Sequence, residues 1–529
     1  MSRHIRHLLA IDQGTTGSTA LVMSPDGTTL GRANSEFPQY FPEPGWVEHD
    51  AEEIWASVES SIREALKAAG AQGADIAAVG ITNQRETSLL WERTTDRLLH
   101  RAIVWQDRRT ADVCAKLRSE GHEPRIKSAT GLVLDPYFSG TKVAWLLDHL
   151  PGARERAERG ELAFGTVDSF LVWRLSGGAK AGSPHVTDVT NASRTLLMDL
   201  KTLAWDPGLC ELLRVPEAVL PRIVESAGRI AETRGLGVLP DGVPITGIAG
   251  DQQAALFGQA CFSPGDVKCT YGTGAFIVMN TGKDIVRSRY GLLTTVAWKV
   301  GGETAYALEG SSFIAGAAVQ WLRDGLGLIR SASEIEELAR QVPSSDGVVF
   351  VPALSGLGAP HWDPDARGLI VGLTRGTTRA HLARATLEAI AHQVDDLVRA
   401  MREDLRKPIP RMRVDGGAAA NDLLMQYQSD VSNLTVERPT ELESTARGAA
   451  MLAGIGVGLF KSGQEASQMA KIQRKFEPEM TEAVRAARLA AWSDAVGRAR
   501  SAGHLSDAGE RERAMSLMSK KRSNDVERR

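Results

Sequence analysis

Two hydrophobic periods alternate along the first hundred residues of the chain. His7 to Asp12 is a short apolar run, Gly14-Thr15-Thr16-Gly17 a turn and Ser18 to Met23 a second run, after which Ser24-Pro25-Asp26-Gly27 turns the chain again. This is the pattern of a β-meander. The period changes after Asp50, where Ile54, Val58, Ile62, Ala65, Leu66 and Ala69 recur at helical spacing. Asp50 with Glu53 three residues on predicts a capping box at the start of that helix. Ile76 to Ile81 and Arg101 to Trp105 read as strands again. Strands alternating with helices place the chain in the α/β class.

The second half repeats the opening. Val267 to Tyr271, the turn Gly272-Thr273-Gly274 and the run Phe276 to Asn280 again give strand, Gly-Thr-Gly turn, strand. Two duplicated domains facing each other are one reading of this recurrence, and two unrelated hairpins are the other. A length of 529 residues exceeds what one hydrophobic core organises, which favours two large domains. The boundary is expected near residues 250 to 260, giving domains over 1–255 and 256–498. Beyond about Ala499 apolar periodicity is lost and the chain ends in Lys520-Lys521-Arg522 and Arg528-Arg529, so 499–529 is expected to be a flexible charged tail.

Composition narrows the class but names no reaction. A formal net charge of -3 sets up no field that would gather nucleic acid or an anionic membrane. No apolar run is long enough to span a bilayer. The four cysteines, Cys114, Cys210, Cys261 and Cys269, lie far apart without CxxC spacing, as expected of reduced thiols rather than a disulfide framework or zinc site. Met1-Ser2-Arg3-His4 leads into the first strand without a signal-peptide core. A cytoplasmic enzyme is the expectation, as a homo-oligomer without nucleic-acid or membrane partners.

Candidate chemistry gathers at the turns. In Asp12-Gln13-Gly14-Thr15-Thr16-Gly17 the glycines let the backbone approach an anion, and threonine hydroxyls and successive N–H groups can donate to phosphate. The preceding carboxylate suits a hydrated Mg2+. A plain hairpin turn is the competing reading, since neither the P-loop nor the dinucleotide fingerprint is present. The Gly272–Gly274 turn and Asp415-Gly416-Gly417-Ala418, with Asn421 at a following helix start, suit a nucleotide held between two domains. A polar set stands at other predicted strand ends: Gln84-Arg85-Glu86, Trp105-Gln106-Asp107-Arg108 and Asp251-Gln252-Gln253. An alcohol that attacks phosphorus needs a carboxylate to take its proton, and a polyol needs further donors, acceptors and an apolar wall. Arg85, Glu86, Asp251 and Gln252 supply the polar groups, and Trp105, Tyr137 and Phe276 the wall. The alternative reading makes Arg85-Glu86 and Asp107-Arg108 surface ion pairs.

These segments, with Tyr137 to Leu147, Gly250 to Gly258, Leu308-Glu309-Gly310 and Gly356 to Pro360 in the same order, resemble the glycerol kinases of the FGGY carbohydrate kinase family from about residue 7 to about residue 495. The resemblance implies two ribonuclease-H-like domains of the actin and sugar-kinase type around a central cleft, the first on the polyol and phosphate side and the second on the nucleotide side. It implies ATP and Mg2+ as cofactors and phosphorylation of glycerol to sn-glycerol 3-phosphate. Asp251 is similar to the family's catalytic base and Asp12 to its magnesium-associated aspartate. Arg85, Glu86, Tyr137, Asp251 and Gln252 match its glycerol hydroxyl contacts, with Trp105 and Phe276 as walls. Thr15, Thr16, Gly17, Thr273, Gly316, Gln320, Gly417 and Asn421 match its nucleotide contacts. Two departures stand out: Gly17 where many members have serine, and Thr19 where many have an arginine near the transferred phosphate. The stretch Gly237 to Val243, where some bacterial members bind fructose 1,6-bisphosphate through basic residues, has none here and carries Asp241. A family kinase for another small polyol or ketose, and a non-catalytic actin-like nucleotide switch, are the alternatives.

Overall fold

The computed structural model describes residues 7–501. Thirteen strands form one continuous sheet. Its first-half members are β1 (His7–Gln13), β2 (Gly17–Met23), β3 (Thr29–Glu36), β4 (Ile76–Asn83), β5 (Ala227–Glu232) and β6 (Pro244–Gly250). Its second-half members are β7 (Val267–Tyr271), β8 (Ala275–Gly282), β9 (Leu293–Val300), β10 (Glu303–Ser312), β11 (Arg411–Asp415), β12 (Thr435–Pro439) and β13 (Ile472–Phe476). Across the sheet the order is β13-β12-β11-β7-β8-β10-β9-β5-β6-β4-β1-β2-β3.

Of the two readings of the recurring Gly-Thr turns, the duplicated one is present. In the first half the order β3-β2-β1-β4-β6 has β1 antiparallel to β2 and parallel to β4, with β4 parallel to β6. In the second half β10-β8-β7-β11-β12 repeats that plan: β7 is antiparallel to β8 and parallel to β11, which is parallel to β12. Each meander closes through a short turn, and each parallel neighbour arrives through a helical crossover.

The central strands are apolar on both faces because helices cover both. Leu9, Ile11, Val79 and Ile81 pack beneath Trp55, Val58 and Ile62 of helix α1 (Ala51–Ala69). Asp50 caps that helix by accepting from Glu52 N at 2.9 Å. The capping box is not formed, because Tyr40 OH donates to Glu53 Oε1 at 2.8 Å and takes the carboxylate away from the helix end. The predicted strand Arg101 to Trp105 is reduced to Ala102–Ile103, paired with Glu48–His49.

On the opposite face the halves interlock. Helix α2 (Asp251–Gly258) follows β6, and α3 (Gly316–Gln320), α4 (Arg379–Leu405), α5 (Asp422–Ser432) and α6 (Ser444–Gly456) follow in the second half. Although α6 comes after β12, its Ala446, Ala449, Ala450 and Ala453 pack on Leu8, Ala10, Leu21 and Ala78 of the first half. The approach is so close that a Cβ on Gly80 would meet the Ala449 carbonyl, and one on Gly448 the Ala254 carbonyl. Helix Glu482–Ala499 carries regular structure to the start of the expected tail. Positions 502–529 of that tail lie outside the described residues. Among the described residues no helix is long and apolar enough to cross a membrane.

Candidate active site

The parallel strands β4 and β6 end side by side, and the residues that follow them form the floor of the site. After β4 the chain turns sharply through Glu86, which sits at φ 58. That left-handed conformation is unfavourable for a side chain with a Cβ and persists only where the surroundings impose it. Here the Ser88 and Ser139 hydroxyls both donate to the Glu86 carbonyl at 3.0 Å. After β6, Asp251 opens α2, with Gln252 N donating to its Oδ1 at 2.7 Å and Gln252 Nε2 to its Oδ2 at 3.1 Å. Arg85 Nε reaches Asp251 Oδ1 at 3.1 Å. Lys268, buried on β7, donates to Gln252 Oε1 from the other half.

Arg85 and Glu86 are not a surface ion pair. Arg85 Nη1 and Nη2 donate to Glu309 Oε2 and Oε1 at 2.6 and 2.9 Å, a bidentate contact across the halves. Arg194 donates through Nε to Glu86 Oε1 at 2.7 Å and through Nη2 to Glu309 Oε1 at 3.1 Å. All four residues are buried. Burial opposes the charge of Glu309, but the guanidinium groups of Arg194 and Arg85 overcome it and hold the carboxyl at about 2. For Glu86 burial wins over Arg194 and Arg85, and the carboxyl is pushed up.

Aromatic groups and the first Gly-Thr turn complete the walls. The Trp105 indole donates to Thr15 Oγ1 at 2.9 Å, tying the apolar wall to the turn. Trp105 and Tyr137 meet edge to face with centroids 5.7 Å apart. Tyr137 is anchored from behind by Lys142 Nζ, which donates to its carbonyl at 2.7 Å. Arg85, Glu86, Trp105, Tyr137, Asp251, Gln252 and Phe276 surround one cavity of about 840 Å3, with Thr15 and Thr16 on one rim and Thr273 on the other. The three expected sets, floor, wall and turns, therefore share one cleft.

The remaining expected positions are not among the residues that line that cavity. Gly17 opens β2, and Gly14 N donates to its carbonyl at 2.9 Å. Gly316 N donates to the Gly272 carbonyl at 2.9 Å, so α3, which ends at the exposed Gln320, starts against the second turn. Gly416, at φ 84, lies so close to β7 that a Cβ there would stand 2.5 Å from the Tyr271 carbonyl, and Gly417 follows it, exposed. Asn421 caps α5 by accepting from Leu424 N at 2.9 Å. Asp12, near the end of β1, keeps one face open. Burial, then the charges of Asp251 and Glu443, push its carboxyl up to about 8.

The pairing of Asp107 with Arg108 is corrected. Asp107 is buried and binds Arg109 at 2.8 Å, whereas the exposed Arg108 reaches Asp135 at 2.9 Å. Arg194, Glu309 and Lys268 were not among the expected site residues. The available signal was a charge inside an apolar run, as in Val267-Lys268-Cys269 and Leu308-Glu309-Gly310. Such charges are rarely buried unless paired.

Residues 7–258 match the N-terminal domain of the FGGY family of carbohydrate kinases, and residues 267–457 match its C-terminal domain. The chain belongs to this family. It is 58% identical over 496 residues to a glycerol kinase from Myxococcus xanthus, covering 93% of this chain and 99% of that one. A glycerol kinase from Aromatoleum aromaticum is 59% identical over 494 residues, with 93% and 99% covered. Among solved structures, a Plasmodium falciparum glycerol kinase with ADP superposes at TM-score 0.87 with 36% identity, covering 94% of this chain and 98% of that one. In this FGGY chain the N-terminal match contributes Arg85, Glu86, Trp105, Tyr137, Asp251 and Gln252 to the cavity, and the C-terminal match contributes Thr273, Phe276 and Glu309.

Proposed function

We propose that this FGGY kinase transfers the terminal phosphoryl group of ATP to glycerol, giving sn-glycerol 3-phosphate and ADP. The observation that carries the reading is the Asp251 carboxylate, held 3.1 Å from Arg85 in a cavity walled by Trp105, Tyr137 and Phe276 and rimmed by both Gly-Thr turns. Arg85, Glu86, Tyr137 and Gln252 bind and orient the glycerol hydroxyls, and Trp105 and Phe276 flank its carbon chain. Asp251 takes the proton of the terminal hydroxyl as that oxygen attacks the γ-phosphorus, and the bond to ADP breaks with its electron pair on ADP. Thr15, Thr16, Gly17 and Thr273 donate to phosphate oxygens. Gly316, Gln320, Gly417 and Asn421 bind the rest of the nucleotide. Residues 1–255 thus form the polyol and phosphate side, and 256–498 the nucleotide side.

Asp12 suits Mg2+. Its carboxylate accepts no hydrogen bond among the described residues and is destabilised as an anion by burial and by Asp251. The described residues offer no cluster of three or more carboxylate, histidine or cysteine ligands. That matches an ion that takes one or two carboxylates and completes its shell with phosphate oxygens and water. Bound there, Mg2+ supplies charge neutralisation at the phosphates. The four cysteines are buried and unpaired, in keeping with a cytoplasmic setting, and a homo-oligomer completes the proposal.

A coupled assay of ADP release over glycerol, erythritol, xylulose and a blank tests the reading. Glycerol is expected to give the highest kcat/KM. ATP hydrolysis indifferent to every polyol would return the chain to a nucleotide switch.

A further inference from the structure

The reacting groups hold only part of the buried charge at the floor of the site. Arg85 and Glu86 line the cavity, but neither is positioned by its own neighbours in sequence. Arg85 turns both terminal nitrogens to Glu309, with longer bonds to Gln253 Oε1 at 3.3 Å and Tyr137 Oη at 3.5 Å, leaving Nε for Asp251. Glu86 spends Oε1 on Arg194, and its Oε2 has no protein partner among the described residues. Arg194 joins the two carboxylates, lying over the rings of Phe138 and Tyr137 with its guanidinium carbon 5.2 and 5.6 Å from their centroids. Two guanidinium groups and two carboxyl groups thus form one buried set, joined to Asp251 through Arg85 Nε, and Glu309 is its only member on the second half of the chain.

We propose that Glu309 and Arg194 are positioning residues for polyol recognition: Glu309 holds the two terminal nitrogens of Arg85, so that only Nε meets the Asp251 carboxylate, and Arg194 holds Oε1 of Glu86 and leaves its other oxygen to the substrate. The proposal rests on the polyol-kinase reading given above. Its physical basis is competition. A buried guanidinium seeks the nearest anion, and with Glu309 neutral the anions left within reach of Arg85 are Asp251, at 3.1 Å, and Glu86, at 4.0 Å. Arg85 then closes on the two carboxylates that should face glycerol. Among the described residues no hydrogen bond joins the Gly-Thr turns to this set, so the damage is expected to fall on the polyol.

The test is a kinetic comparison of wild type, Glu309→Gln, Arg194→Gln and the double variant, varying glycerol and ATP separately. Glu309→Gln is expected to raise KM for glycerol by roughly 30-fold or more, the scale for removing one charge of a buried pair, and to leave KM for ATP within about 2-fold. The double variant, which restores charge balance, is expected to fall short of the product of the two single effects by about 10-fold. Equal shifts in both KM values, or single effects that simply multiply, overturn the proposal. Glu309→Asp guards against a folding failure, because it keeps the charge but is one methylene too short for the bidentate contact. A KM for glycerol raised about 3- to 10-fold with kcat retained supports the role, and an unchanged KM overturns it. A wild type inert on glycerol removes the kinase reading and this inference with it, whereas an active wild type whose KM is unmoved by Glu309→Gln removes the inference alone.

Discussion

The two ends of the cleft are built from different materials. At the end proposed for the polyol the cavity floor is made of charged side chains held by one another, three of them buried to within a few per cent: Arg85 is 3% exposed, Glu86 1% and Glu309 2%, while the Asp251 side chain is 33% exposed. At the end proposed for the nucleotide the groups are main-chain turns, Gly14–Gly17, Gly272–Gly274 and Gly416–Gly417, whose positions are fixed by strand ends. A buried charge set tolerates almost no change of side chain, because each charge is another's partner. A backbone cradle depends on close approach instead, and does not tolerate the addition of an atom where strands and turns touch. The chemistry of the substrate explains the division: a neutral polyol must be read hydroxyl by hydroxyl, whereas a phosphate asks mainly for N–H groups.

Four substitutions and one ligand titration probe this contrast. The largest effect belongs to Asp251→Asn, which keeps shape and removes the base. Turnover is expected to fall by roughly 100-fold to 10,000-fold with little change in glycerol affinity; near-normal kcat would end the general-base assignment. Next comes Arg85→Ala, which takes one of its two guanidinium partners from Glu309 and removes the guanidinium beside Asp251. A penalty of about 3–5 kcal/mol, divided between glycerol affinity and folding, follows from breaking a buried ion pair, and glycerol titration calorimetry with denaturant melts would measure it. An unchanged KM for glycerol would put the pair outside the substrate site.

The pH dependence of stability sharpens the same point. Glu309 sits at about 2 in the folded protein, below its unfolded value, so its contribution is complete above about 4.5 and is lost as pH falls through about 2. Roughly 3 kcal/mol of wild-type stability is expected to disappear across that window. In Glu309→Gln this component is absent, so the difference between the two proteins shrinks as the solution is acidified. A difference that stayed constant from pH 6 to pH 3 would show that Glu309 is not held as an ion.

At the nucleotide end Gly416→Ala should do the converse of Arg85→Ala. The added Cβ meets the Tyr271 carbonyl at φ 84, costing about 1–3 kcal/mol of strain. KM for ATP is expected to rise about 10-fold while KM for glycerol stays put. The smallest expected effect is none at all. The Gly235 amide donates to Asp241 Oδ1 at 2.7 Å, so the loop before β6 is closed on its own carboxylate. Titrating fructose 1,6-bisphosphate at low ionic strength should leave the steady-state rate unchanged; saturable inhibition would reveal an anion site there.

Much of the frame was legible because it is local. Period-two apolar runs around Gly14–Gly17 and Gly272–Gly274 were enough to anticipate both meanders, and the strand-end position of Arg85, Glu86 and Asp251 was enough to anticipate the floor. What stayed hidden is non-local. Arg85 and Glu309 are 224 positions apart, and Glu86 and Arg194 are 108 apart, so no window of sequence contains either pair. Asp107 takes Arg109 rather than its neighbour Arg108 because the turn buries one arginine and exposes the other, a choice made by packing. Glu53 left its expected cap because Tyr40 reached it first.

The helix α6 has a consequence for synthesis at the ribosome. It fills the face of the first-half sheet over Gly80, yet it is encoded after β12, near residue 450. When α2 is complete, the surface that α6 will cover is still bare and apolar. At about 5–20 residues per second the roughly 200 residues in between take on the order of 10–40 s to emerge. For that interval the nascent first half presents an open groove lined by Leu8, Ala10, Leu21 and Ala78. Early termination before α6 is therefore expected to yield an insoluble fragment rather than a working half.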